Sequence, residues 1–239
     1  MKIAIVSPAS SGPRSGNRHT AARWAQFLRK AGHQVAMSTG WKSGNEDILI
    51  ALHARKSGRS IETFHESRPG RPLIVVLTGT DLDRDIRTDA GARHALGLAS
   101  RLVVLQDRGP KELARRHRAK TRVIYQSADV RLRHAPPKDR FRVAVIGHLR
   151  EEKDPFRAVM ALRRIARSTP VEVLQIGGAL EGGVRGRRRA WVGLGRGSRG
   201  VGSVPHGGGM SGLASSHAPV VSSAMEGGAD DVVHERRLA

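Results

Sequence analysis

Short apolar segments alternate with amphipathic ones along the first half of the chain, and this alternation limits the fold more than any other feature. The apolar segments are rich in β-branched residues and end at Gly, Pro, Ser or Asp, which is typical of buried strands. They lie at Ile3–Val6, Val35–Met37, Ile48–Leu52, Leu73–Leu77, Leu102–Leu105 and Val123–Tyr125. Strands that alternate with helices form βαβ units, so the sequence predicts an α/β fold with a parallel sheet.

The clearest predicted helix is Thr20–Ala31, in which Trp24, Ala25 and Leu28 recur at helical spacing. Gly32 follows at the position of a helix C-cap. Two weaker patterns predict helices at Arg87–Ala99 and Arg108–Arg116. Ligands of such sheets bind beyond the carboxyl ends of the strands, so candidate binding residues are expected directly after each apolar segment.

A polar segment with two adjacent prolines interrupts the pattern at residues 127–140, and we predict a linker there. The pattern then restarts with a strand at Phe141–Ile146, a helix at Asp154–Ala166 and a strand at Val171–Ile176. Asp154 is the expected N-cap of this helix, with Pro155 at its first position. The chain is therefore predicted to have an N-terminal domain at residues 1–126 and a second domain at residues 141–239.

Residues 177–217 are rich in Gly and Arg and have no helical or strand period, so we expect this segment to be poorly ordered. Low complexity explains this composition, and a frame-shifted stretch of coding sequence explains it better. The chain stops at Ala239, and we expect the second domain to be truncated, with an incomplete sheet. Two Rossmann-like parallel-sheet domains, the second of them partial, are the predicted architecture.

The chain has 42 Lys and Arg against 21 Asp and Glu, a formal net charge of +21. Such a charge favours anionic partners or phosphorylated substrates. The absence of cysteine excludes disulfides, thiolate zinc sites and Cys nucleophiles. No apolar run approaches the roughly 20 residues of a membrane helix, so a cytoplasmic protein without membrane partners is expected. No metal-binding cluster, P-loop or nucleophile elbow is present in the sequence.

Two candidate binding segments lie in the predicted N-terminal domain. The loop at residues 7–19 has small residues that let backbone amides approach a ligand at a helix N-terminus, although it also fits an ordinary connection. Thr78, Gly79, Thr80 and Asp81 directly follow a strand. Asp81 could accept hydrogen bonds from sugar hydroxyls or act as a base, but a helix N-cap explains it equally.

Two further segments lie in the predicted second domain. Arg150 and Lys153 precede a predicted helix and could hold a diphosphate, the alternative being solvated cations beside neighbouring glutamates. Glu226 precedes Gly227 and Gly228, an arrangement that suits a sugar next to a phosphate and is also common in turns. Three histidines lie near strand ends, where a structural role is more common than a catalytic one: His53, His148 and His206.

Six segments together resemble the selenosugar synthase (SenB-like) group of GT-B glycosyltransferases, of the glycosyltransferase-4 type. They are GNRHTAARWAQFLRKAGHQV, ILIALHARKSGRSI, RPLIVVLTGTDLDRDI, RLVVLQDRG, VIGHLREEKDPFRA and SSAMEGGADDVV. The resemblance is dense over residues 1–180, faint over 181–217 and present again over 218–235.

The resemblance implies a transferase that moves a sugar, N-acetylglucosamine in the first instance, from a UDP-sugar to selenophosphate and so forms a selenosugar for selenoneine biosynthesis. It implies no cofactor and no metal, because Arg and Lys neutralise the leaving diphosphate. The implied donor-site residues are Arg150 and Lys153 for the diphosphate and Glu226, Gly227 and Gly228 for the sugar. The implied acceptor and cleft residues are Gly16, Asn17, Thr20, Thr78, Gly79 and Thr80, with Asp81 and Glu226 as catalytic residues.

The chain departs from the family pattern at one further position. A second Glu is expected eight residues after Glu226, where this chain has His234, and Glu235 is one residue out of register, about 100° around a helix. Three alternatives stay open at this point: a glycosyltransferase with another acceptor, a basic nucleic-acid-binding protein and an inactive, truncated chain. Only 3% of residues are aromatic, which gives few surfaces for stacking bases and argues against specific nucleic-acid binding. The net charge of +21 still predicts nonspecific binding.

Overall fold

The structure is a computed structural model, and it describes residues 1–8, 16–127, 133–149, 153–178, 198–202 and 206–223, with the backbone alone for 198–202 and 206–208. The chain divides into two compact units, Met1–Gln126 and Ser127–Ala239. Each unit is built on a parallel sheet.

The first unit has a six-stranded parallel sheet with the strand order β2-β1-β3-β4-β5-β6. Its strands are β1 (Lys2–Val6), β2 (Gln34–Ser38), β3 (Ile48–Leu52), β4 (Leu73–Leu77), β5 (Arg101–Val104) and β6 (Thr121–Val123). Its helices are α1 (Gly16–Lys30), α2 (Gly58–Ser67), a π-helix (Asp81–Asp85), α3 (Ile86–Thr88), α4 (Ala90–Leu98), α5 (Gly109–Glu112) and α6 (Arg115–Arg118).

Both faces of this sheet are covered, and the apolar runs of the strands follow from that. Successive side chains of a strand point to opposite faces. Ile3 and Ile5 of β1 therefore pack in one core cluster with α1, whereas Ala4 and Val6 pack in the other with Phe64 of α2. A strand buried on both sides has apolar residues at nearly every position, as these strands do.

Two predicted helices are interrupted in the structure. The segment predicted as one helix over Arg87–Ala99 is broken at Asp89, whose backbone is extended and whose carboxylate caps α4 by accepting from the Ala92 amide at 2.7 Å. The segment predicted over Arg108–Arg116 is broken at Leu113, where the backbone is again extended. In both places a capping or extended residue ends the helix in spite of a continuing apolar period.

The second unit has a four-stranded parallel sheet with the order β10-β7-β8-β9. Its strands are β7 (Phe141–Ile146), β8 (Val171–Ile176), β9 (Ser198–Gly202) and β10 (Ala218–Pro219), and its helices are α7 (Arg157–Ala161), a 3₁₀ turn (Leu162–Arg164) and α8 (His206–Ala214). Both β9 and α8 fall within the Gly- and Arg-rich segment, for which the sequence predicts no regular element. Met210 and Leu213 of α8 pack on Ala144 of β7.

The predicted start of the helix after β7 is wrong. We expected Asp154 as its N-cap, but Asp154 has a φ of 41° and the helix begins at Arg157. A non-glycine residue in the left-handed region cannot continue directly into a helix. The Asp154 carboxylate instead accepts a 2.6 Å bond from Nε of Arg157.

Part of the predicted linker is attached to the second unit. Nε2 of His134 lies 2.9 Å from the carbonyl oxygen of Ser216, and the Ala135 amide donates to the carbonyl of Ala214 at 3.0 Å. The segment before β7 therefore packs on the end of α8.

A helix that spans a membrane must be both long and apolar. None of the described helices is both long and apolar enough to cross a bilayer.

Candidate functional site

The carboxyl ends of β3 and β4 lie side by side in the first unit and present a buried polar cluster. The two strands pair in parallel, with Leu52 opposite Val76, so the residues that follow them meet at one edge of the sheet. His53 follows β3, and Thr78 to Asp81 follow β4. This is the edge at which ligands of open parallel sheets bind.

The Asp81 carboxylate binds the backbone of both turns. Its Oδ1 accepts from the amides of Thr78 and Gly79 at 2.9 and 3.0 Å, and its Oδ2 accepts from the amide of Ala54 at 3.0 Å. The residue is 0% exposed. A buried carboxylate is stable when such donors surround it. The predicted catalytic role of Asp81 stays a prediction.

His53 occupies a constrained position beside this carboxylate. It has a φ of 70°, which is uncommon for a residue other than glycine, and it is 3% exposed. The Lys56 amide donates to its Nδ1 at 3.3 Å, so the ring proton belongs on Nε2, which lies 3.3 Å from Oγ1 of Thr80. His53 therefore donates to the Thr80 hydroxyl, whose own proton is left to bind another acceptor.

Burial is the main influence on the His53 ring, and it lowers the pKa of His53 below its usual range. The neighbouring Asp81 and Asp85 carboxylates raise that pKa, whereas Lys56 lowers it. Oδ2 of Asp81 lies 4.0 Å from Nδ1 and Oδ2 of Asp85 lies 3.9 Å from Nε2. We therefore describe His53 as a neutral ring at pH 7.

The π-helix places the second acid of the cluster. The segment Asp81–Asp85 forms this rare element, which is often found at functional sites. It brings Asp85, whose side chain is 3% exposed, to the His53 ring. Nε of Arg84 lies 3.1 Å from Oδ1 of Asp85, and Arg55 pairs with Asp89 at 3.0 Å and reaches Asp85 at 3.8 Å.

The other predicted residues of this unit lie on α1. Gly16 is the first residue of that helix and is exposed, and Asn17 is half-buried. Thr20 is buried, and its Oγ1 accepts a 2.7 Å hydrogen bond from Nε2 of Gln126. Thr20 therefore links α1 to the end of the first unit, in addition to any contact with a ligand.

A concavity lies at the carboxyl ends of the strands of the second unit. It is small and open to solvent, and it is lined by Val145, Ile146, Gly147, Lys153, Pro155, Gln175, Val220, Val221, Ser222 and Ser223. Lys153 is the cation among these residues. The structure therefore brings this predicted diphosphate-binding residue to the edge of the sheet where a ligand is expected.

One close backbone approach and the hydrogen bonds of one serine shape this concavity. Gly147 and Gly177 both have φ near 150°, and a Cβ on Gly177 would lie 1.9 Å from the Gly147 carbonyl oxygen. Oγ of Ser222 donates to the carbonyls of Lys153 and Asp154 at 3.2 and 2.9 Å. Only glycine therefore fits at position 177, and Ser222 holds the turn that carries Lys153.

Four predicted donor-site residues lie outside the described residues: Arg150, Glu226, Gly227 and Gly228. No group of His, Asp and Glu suited to a metal ion occurs in the part of the chain that the structure describes. The sequence favours a structural role for His53, one of three histidines near strand ends, whereas the structure places it in this polar cluster. Its left-handed backbone and its two acidic neighbours are tertiary features, and the only local signal is its position directly after an apolar strand.

Solved structures share this fold. Anabaena HepE in complex with UDP is similar with a TM-score of 0.71 and 16% identity, over 100% of this chain and 78% of that protein. The sucrose-phosphate synthase of Thermosynechococcus elongatus has a TM-score of 0.73 and 16% identity, over 94% and 76% of the two chains. WaaB, a lipopolysaccharide outer core galactosyltransferase, has a TM-score of 0.61 and 13% identity, over 94% and 74%.

The sequence itself matches no protein-family model and no curated protein. Identities of this size establish the fold alone. The predicted fold class, α/β with two Rossmann-like parallel-sheet domains as in GT-B glycosyltransferases, is confirmed.

Proposed function

We propose that this protein is a glycosyltransferase that transfers a sugar from a UDP-sugar to an anionic acceptor, with UDP-N-acetylglucosamine as donor and selenophosphate as acceptor. The fold similarity to a UDP complex over the whole chain carries the proposal. The resemblance of six sequence segments to selenosugar synthases supplies the acceptor. The product would serve selenoneine biosynthesis.

In the proposed reaction the selenium of selenophosphate attacks the anomeric carbon of the sugar. A C–Se bond forms, the C–O bond to the diphosphate breaks, and UDP leaves with the bonding electron pair. Water then takes the phosphoryl group from selenium, which gives phosphate and the sugar selenol. Cations at the leaving diphosphate supply the main electrostatic stabilisation, and the acceptor needs positioning more than deprotonation.

Donor binding is proposed for the concavity of the second unit. Lys153 would pair with the diphosphate, since an ammonium group is a common phosphate ligand. Arg150 would pair with the same group, and Glu226, Gly227 and Gly228 would hold the sugar. The concavity lined by Lys153 and Gly147 supports this assignment.

Acceptor binding is proposed for the first unit, at Gly16, Asn17, Thr20, Thr78, Gly79 and Thr80. Thr80 is half-buried, and its hydroxyl accepts from the neutral His53 ring, so its own proton can bind an anionic oxygen. The formal charge of +21 favours the approach of an anionic acceptor. We add His53 to this set as the residue that orients the Thr80 hydroxyl.

The first experiment incubates the protein with UDP-N-acetylglucosamine and selenophosphate under anaerobic conditions. Released UDP is measured, and the product is examined for a C–Se bond by mass spectrometry. Orthophosphate and thiophosphate are compared as acceptors. If another acceptor supports UDP release and selenophosphate does not, the assignment of selenophosphate as the acceptor is refuted. Absence of both UDP release and UDP binding would refute the glycosyltransferase.

A matched pair of lysine variants tests the donor site. Lys153→Gln removes the cation of the concavity, whereas Lys138→Gln removes an exposed cation of the same unit. We expect Lys153→Gln to weaken UDP binding about tenfold, roughly the loss of one charge-assisted hydrogen bond, and Lys138→Gln to leave it unchanged. Equal affinities of the two variants in calorimetry would place the diphosphate elsewhere.

A further inference from the structure

We infer that Asp81 is a positioning residue, whose carboxylate ties together the turns that follow β3 and β4 and thereby fixes the His53 ring against Thr80. This role differs from proton transfer, which the sequence suggested for Asp81. Its kinetic consequence rests on the proposed function, whereas its structural consequence does not.

The hydrogen bonds of Asp81 carry the inference. The three amides that it accepts from belong to two turns that are far apart in sequence, Ala54 after β3 and Thr78 and Gly79 after β4. Both oxygens are used, and the residue has no exposed surface. A general base must reach the proton that it removes, and this carboxylate is enclosed by backbone donors instead.

The His53 backbone needs such a restraint. A left-handed conformation at a residue other than glycine persists when the surrounding structure enforces it. The His53 amide donates to the carbonyl of Val76 at 2.8 Å, and Oγ of Ser57 donates to the carbonyl of Leu52 at 2.7 Å. Asp81, which follows β4, accepts from the next amide along the chain, that of Ala54, and so restrains the same turn from the other strand.

The substitution Asp81→Asn separates the two turns. The Asn carbonyl oxygen can still accept from Thr78 and Gly79, but its amide group then faces the Ala54 amide, a donor against a donor. The turn after β3 is released while the turn after β4 is kept. Asp47→Asn is the control, because Asp47 also accepts a backbone amide, that of Lys2 at 2.9 Å, before β3 rather than after it.

The first readout is the NMR spectrum of the His53 ring, assigned with His53→Gln. We expect Asp81→Asn to move both the ring resonances and the His53 titration, because the ring loses a neighbouring charge together with its fixed position, and Asp47→Asn to leave both unchanged. Ring resonances and a titration in folded Asp81→Asn that match those of the unsubstituted protein would overturn the inference.

A measurement on the unsubstituted protein covers the case in which Asp81→Asn does not fold. The Ala54, Thr78 and Gly79 amides should be protected from hydrogen exchange to a similar degree, because one carboxylate holds all three. Exchange of the Ala54 amide at the rate of an open loop would overturn the inference.

The kinetic readout is a double-mutant cycle on UDP release. If Asp81 acts through His53, the variant with both Asp81→Asn and His53→Gln is no slower than His53→Gln alone. A further loss of about tenfold in the double variant would make Asp81 an independent catalytic group and overturn the inference. If the unsubstituted protein releases no UDP, the proposed function fails and the NMR result still decides the role of Asp81.

Discussion

Thr20 and Gln126 are joined by a buried hydrogen bond of 2.7 Å although they lie 106 residues apart. The bond connects the first helix of the chain to the last residue of the first unit. Both side chains are nearly inaccessible to water, so loss of either partner leaves a polar group without its hydrogen bond.

We expect Gln126→Ala to lower the free energy of unfolding of the first unit by about 1–3 kcal/mol, the usual cost of an unsatisfied buried group. Urea denaturation measures the change. Gln26→Ala is the control, because Gln26 lies exposed on α1. A loss of the same size in both variants would show that the buried bond contributes nothing.

Gly177→Ala should destabilise the second unit and weaken UDP binding. The added methyl group would meet the Gly147 carbonyl oxygen, so the backbone at one of the two glycines must shift, and Gly147 lines the concavity. The cost is about 1–3 kcal/mol, as for other overpacked positions. Thermal unfolding and calorimetry with UDP measure the two effects.

Gly209→Ala is the matched control for that substitution. Gly209 lies within α8, and a Cβ there has no neighbour within 4 Å. Alanine should stabilise the helix by about 0.5–1 kcal/mol, because glycine loses more backbone entropy on folding. A Gly177→Ala protein as stable as Gly209→Ala would contradict the close approach at the concavity.

Stability should fall as the pH decreases below neutrality. Burial lowers the pKa of both His53 and His117 from the ordinary value of 6.5. In the unfolded chain these rings bind protons as the pH falls through 6.5, while in the folded chain they stay neutral to lower pH. The unfolded state then holds more protons, so the free energy of unfolding decreases between that value and the folded-state pKa.

Urea denaturation at about pH 7.5 and about pH 5.5 tests this expectation. His53→Gln and His117→Gln should each reduce the difference between the two pH values. His94→Gln is the control, because His94 is exposed on α4. An unchanged pH difference in both buried-histidine variants would assign the effect to other groups.

The positive charge should also give weak binding to nucleic acid. Such binding comes from release of counterions from phosphates, so we expect it to disappear by about 0.2 M salt. Fluorescence anisotropy with two duplexes of unrelated sequence measures it. Binding that persists at that salt for one duplex alone would favour the nucleic-acid-binding alternative.

The strands were more predictable from the sequence than the helices. The structure has β3, β4, β7 and β8 with the predicted bounds, because a strand buried on both faces has an apolar side chain at nearly every position. The helix α2 was not predicted, because only Ile61 and Phe64 among its ten residues are large and apolar. Both side chains pack in the core cluster on one face of the sheet.

The candidate site was only partly predictable for a related reason. The segment from Thr78 to Asp81 follows β4 directly, and Lys153 lies between β7 and α7, so position along the chain was sufficient to select them. The importance of His53 depends on its left-handed backbone and on two acids from a π-helix. Neither feature has a sequence period, so the cluster required the tertiary structure.

The attachment of His134 and Ala135 to the end of α8 has a practical consequence for anyone who wishes to express the second unit alone. A fragment that starts at Phe141 lacks the residues that bind the carbonyl groups of Ala214 and Ser216, and it exposes the end of α8 to solvent. A fragment that starts a few residues before His134 retains both hydrogen bonds.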